Sequence, residues 1–88
     1  MEKIREKYAN FVAFIQENIK DSSYLSMLST VSVETFLEKL KGEKGRSAQE
    51  IARNICSKCN IDITTYPVEV YNKFVRYIEY FQRITQVI

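Results

Sequence analysis

Only two glycines and one proline interrupt the 88 residues of this chain. Those two residue types punctuate turns, and an all-β sandwich or barrel needs turn signals at intervals of about ten residues. Their scarcity points to long helices and argues against a turn-rich β fold. Hydrophobic residues at 45% and charged residues at 27% suit a folded chain rather than a disordered one. A chain this short has room for one core, so residues 1–88 are expected to form a single domain. The expected fold is all-α, a compact bundle of four to five helices with a long aromatic-rich C-terminal helix.

Apolar periodicity and capping residues mark the helices. Ile4, Tyr8, Phe11, Ile15 and Ile19 recur at helical spacing and predict a helix over 3–20, with Val12 and Phe14 widening its stripe. Asp21, Ser22 and Ser23 offer acceptors for a short second helix over 23–31 that would bury Tyr24, Leu25, Leu28 and Val31. Ser32 caps a third helix over 33–41, with Val33, Phe36, Leu37 and Leu40 inward and Gly42 as its stop. After the loop 41–46, Ser47-Ala48-Gln49-Glu50 reads as a capping box. It opens a helix over 48–59 with Ala48, Ile51, Ala52, Ile55 and Cys59 inward. Residues 60–66 read as a loop that tucks Ile61 and Ile63 into the core. Pro67 fits the first turn of the last helix, over 67–87.

That last helix has two overlapping apolar stripes. One runs through Tyr71, Phe74, Ile78, Phe81 and Ile88, the other through Val70, Phe74, Tyr77, Phe81 and Ile84. A surface helix normally shows one apolar face. This helix is therefore either the hub of the bundle or a helix with a second partner. Six of the eleven aromatic residues fall between Tyr66 and Phe81, more than so small a domain easily buries. Aromatic and arginine side chains are enriched at protein interfaces. Tyr77, Tyr80, Ile84, Arg76 and Arg83 are accordingly the candidate partner-binding residues, with part of the face around Tyr77, Tyr80 and Ile84 expected to be exposed in the isolated monomer and covered by a partner or a second copy.

Charge is unevenly distributed. The net charge is +2, yet residues 1–38 carry −2, residues 39–58 carry +4 and residues 59–88 balance. The mid-chain zone holds Lys39, Lys41, Lys44, Arg46, Arg53 and Lys58. A basic zone can face phosphates, although a solvated surface is the plainer reading. Lys41, Lys44, Arg46 and Arg53 are candidate nucleic-acid contacts. Lys73 joins them because Lys73, Arg76, Tyr77, Tyr80 and Arg83 interleave cations with aromatic rings along one helix edge.

The segment Leu40-Lys41-Gly42-Glu43-Lys44-Gly45-Arg46-Ser47-Ala48, continuing to Ile51, distantly resembles the hairpin of helix-hairpin-helix DNA-binding modules. The resemblance implies a glycine-containing turn feeding a helix N-terminus whose amides bind a phosphate. The second glycine stands one place late, at Gly45, and Glu43 occupies the apolar position between the glycines. Residues 47–52 also resemble the first helix of a helix-turn-helix, followed by a turn that is too long. A plain helix-linking loop accounts for the same residues.

Catalysis finds little footing. The chain has no histidine to act as a base near neutral pH and no glycine-rich phosphate loop. Glu34 and Glu38 share a helix side, which alone makes no acid–base or metal pair. Cys56 and Cys59 form a lone C-x-x-C. Zinc needs about four ligands, which only two pooled pairs from a dimer could supply. Redox chemistry favours a helix N-terminus, and this pair stands at the far end. The pair reads best as two small apolar residues or a facultative disulfide. No metal, cofactor or small-molecule substrate is indicated.

No apolar run reaches membrane-spanning length, and Met1–Tyr8 is too charged for a signal peptide. Together with the cysteines this suggests an intracellular setting. The main functional expectation is a non-enzymatic interaction module, an accessory subunit or adaptor bound to a protein partner or to a second copy, within nucleic-acid machinery if the basic zone is used. Direct DNA or RNA binding through residues 39–58 is one alternative. A small phage or viral inhibitor of a host protein is another.

Overall fold

The computed structural model of the chain describes residues 2–19, 31–58 and 60–87. They form four α-helices and one turn of 3-10 helix, with no strand among the described residues. In chain order these are α1 (Glu2–Asn18), α2 (Val33–Lys41), α3 (Ala48–Ser57), the 3-10 turn (Ile63–Thr65) and α4 (Val68–Val87). The expected helix over 23–31 lies outside the described residues, as do Cys59 and Ile88.

The helices begin where side chains can replace missing backbone partners. Ser32 Oγ accepts the Thr35 N–H at 3.2 Å and starts α2. Ser47 Oγ accepts the Glu50 N–H at 3.1 Å and starts α3. Only that half of the expected capping box forms. The Glu50 carboxylate turns instead to Arg46, 3.7 Å from its Nη1, because the loop delivers a cation beside it. Ser47→Ala is expected to lower stability by about 1 kcal/mol, read from the denaturant midpoint, and an unchanged midpoint would show that the hydroxyl contributes nothing.

Three local expectations shift. Gly42 ends α2 with an ordinary right-handed φ of −68°; the left-handed residue is Gly45, at φ +93°. The chain continues in a tight series of turns past Gly42, with Glu43 N–H bonded to Leu40 O at 3.0 Å and Lys44 N–H to Lys41 O at 3.3 Å, and reverses only at Gly45. Helix α3 ends at Ser57 and buries Cys56, which is wholly inaccessible, while Ile55 is half-buried. Pro67 stands just before α4 and supplies the carbonyl that accepts the Val70 and Tyr71 N–H groups at 2.9 and 3.1 Å. A proline suits this place because its own N–H is not required.

The core is one cluster drawn from every element. Tyr8, Phe11, Phe14, Ile15 and Ile19 come from α1 and the residue after it. Val33, Phe36, Leu37 and Leu40 come from α2, and Ala48, Ile51, Ala52 and Cys56 from α3. Ile61 and Ile63 come from the linker, as expected, and Phe74, Val75, Ile78 and Phe81 from α4. Aromatic rings form its centre. Phe11 packs on Phe74 edge-to-face at 5.3 Å and on Phe36 at 5.8 Å, while Phe36 meets Phe81 edge-to-face at 5.4 Å. The Tyr8 hydroxyl donates to the Val31 carbonyl at 3.2 Å, and burial pushes its pKa above the ordinary value. Helix α4 packs on α1, α2, α3 and the 3-10 turn, so it is the hub of the bundle.

Candidate functional site

Although it is the hub, α4 leaves one side open. On a helix the core positions Phe74, Ile78 and Phe81 recur every three to four residues, and the opposite arc carries Asn72, Arg76, Glu79 and Arg83. Between these arcs stand Lys73, Tyr77, Tyr80 and Ile84. Helix α1 crosses this border and contributes Lys7. Together Lys7, Lys73, Arg76, Tyr77, Tyr80 and Arg83, with Glu69, Asn72 and Glu79, line a shallow groove of about 600 Å³.

The tyrosines in the groove are held from behind. Tyr77 lies 5.1 Å from Phe11 and 5.6 Å from Phe14, and Tyr80 meets Phe81 edge-to-face at 5.4 Å. Both are half-buried, as is Ile84, so that each keeps part of its surface exposed beside α1. The Lys7 ammonium sits 5.1 Å from the Tyr80 ring centre and 5.7 Å from that of Tyr77. Lys73 Nζ lies 5.3 Å from the Phe14 ring. Such placements let a cation be held by a ring face while its outer side stays hydrated. Lys7, Lys73, Arg76 and Arg83 have no carboxylate within 4 Å among the described residues. The groove lining carries four cations and two carboxylates, a local excess of +2.

The structure thus brings together Arg76, Tyr77, Tyr80 and Arg83 of the expected partner set and adds Lys73 from the nucleic-acid set. Ile84 is packed against the core beside the groove and does not line it. Lys7 went unassigned in the sequence. Its signal is its phase, four residues before Phe11 and seven before Phe14, which puts a cation on the rim of the buried face of α1.

The mid-chain cations lie elsewhere. Lys41 pairs with Glu38 at 3.2 Å, and Arg46 with Glu43 at 3.2 Å. Lys44 and Arg53 are exposed. Arg53 borders a separate hollow of about 320 Å³ with Ser57, Asn60 and Asp62. The loop amides that a phosphate cradle would use are engaged internally at Glu43, Lys44 and Arg46. The Arg46 carbonyl also accepts Gln82 Nε2 at 2.7 Å, which fastens the loop to α4. Two of the six mid-chain cations, Lys41 and Arg46, are matched locally, and the turn geometry is that of a helix link.

Among the described residues no group of three His, Cys, Asp or Glu side chains is placed to hold a metal ion. No described helix is long and apolar enough to cross a membrane. No protein-family model, no curated protein and no solved structure matches this chain.

Proposed function

We propose that this chain is a non-enzymatic protein-interaction module, acting as an intracellular accessory subunit or adaptor, and that the open side of α4 is its contact surface. The observation that carries this reading is the groove itself. Two tyrosines are fixed by core rings behind them, and four cations surround them without a carboxylate partner among the described residues. Tyrosines held in place lose little side-chain freedom when a partner covers them, and tyrosine and arginine are the residue types that dominate interface energetics.

The test is an association measurement on a paired variant. Tyr77→Ser combined with Tyr80→Ser is expected to abolish co-purification of the chain's partner from its native source while leaving the helical circular dichroism signal in place. Unaltered co-purification overturns the reading. So does unfolding as severe as that caused by Phe74→Ala, since these two side chains would then belong to the core alone.

A further inference from the structure

We infer that the groove on α4 receives an acidic amphipathic helix, with carboxylates of the partner set against Lys73, Arg76 and Arg83. This rests on the reading of the groove as a protein contact and goes on to name the chemistry of what binds.

Three observations carry it. The first is charge. The groove has a positive excess, and Lys7, Lys73, Arg76 and Arg83 lack carboxylate partners within 4 Å among the described residues. Such cations form charge-assisted hydrogen bonds most readily with carboxylates or phosphates, bidentate in the case of arginine.

The second is spacing. Lys73 and Arg76 are three residues apart on α4, and Arg76 and Arg83 are seven apart. Along a helix axis these are separations of about 4.5 Å and about 10.5 Å. An extended peptide presents same-side groups every ~6.7 Å and fits neither separation. A second helix with carboxylates at i, i+3 and i+10 fits both, laying its apolar side over Tyr80.

The third observation separates a protein from a nucleic acid. Glu69 and Glu79 stand in the same wall as the cations. A phosphate backbone is negative at every residue and would have to pass both. A helix can place neutral or basic side chains opposite them.

The experiment is a selection from a displayed library of random peptides about eighteen residues long against the whole chain, followed by fluorescence anisotropy with the enriched peptides and, in parallel, with a twelve-nucleotide oligothymidine. The expected result is enrichment of helix-forming peptides whose aspartate or glutamate residues recur on one face. Their binding should weaken about tenfold or more in Arg76→Glu/Arg83→Glu, and also with rising salt. A Lys7→Ala variant should weaken it to a smaller degree, with helicity unchanged in both proteins. Enriched peptides without carboxylates, or acidic ones indifferent to the arginine changes, overturn the acidic partner while leaving the groove a protein contact. Oligothymidine binding with no peptide enriched overturns both. If neither probe binds, the acidic-helix proposal also falls.

Discussion

Phe74→Ala is expected to cost about 3–5 kcal/mol, close to the whole stability of a domain of this size at the low end of the usual range. Phe74 is wholly inaccessible and lies on the hub helix, edge-to-face with Phe11 at 5.3 Å. Phe11 in turn touches Tyr8, Phe36, Tyr77 and Phe81. Truncation removes the transfer free energy of a ring and leaves a hole that four helices cannot close without moving rings already interlocked. Urea unfolding followed by circular dichroism measures the loss. A shift in stability below about 1 kcal/mol at unchanged denaturant slope would mean that the aromatic cluster is not the centre of the core.

The second large effect is expected outside the four helices. Ile63→Ala should cost about 2–5 kcal/mol, as much as a truncation inside a helix. Ile63 is 1% exposed although it sits in a three-residue 3-10 turn. Asp62 holds that turn by accepting the Thr64 N–H at 3.1 Å, and the turn packs on both α3 and α4. The isoleucine therefore plugs the junction between the two helices that flank it. Thr64→Ala, at an exposed neighbour, is the control. Equal, small effects from both changes would show that the linker is merely draped over the core.

Much of this architecture is legible in the sequence. Ser32 and Ser47 marked two helix starts, because a cap is a bond between a side chain and an amide three residues away. The stripes Tyr8–Phe11–Ile15 and Phe74–Ile78–Phe81 identified buried faces, because helical periodicity is a property of the local chain. The alternation of Ile61 and Ile63 within a polar segment announced a linker that enters the core.

Other features depended on what lies across from a residue. How much of Tyr77 and Tyr80 is covered depends on α1, and the same packing brings Lys7 into the groove from the other end of the chain. Glu50 left the cap for Arg46 because the loop places a cation there. The reversal after α2 fell to Gly45 because the chain stays right-handed through Gly42. Composition, caps and periodicity determine which segments become helices and which face of each turns inward, since those interactions span four residues or fewer. Which cations gather in one groove, and which rings stay reachable from solvent, was decided only when α1 packed on α4, because contacts between residues some seventy positions apart in the chain leave no local pattern to read.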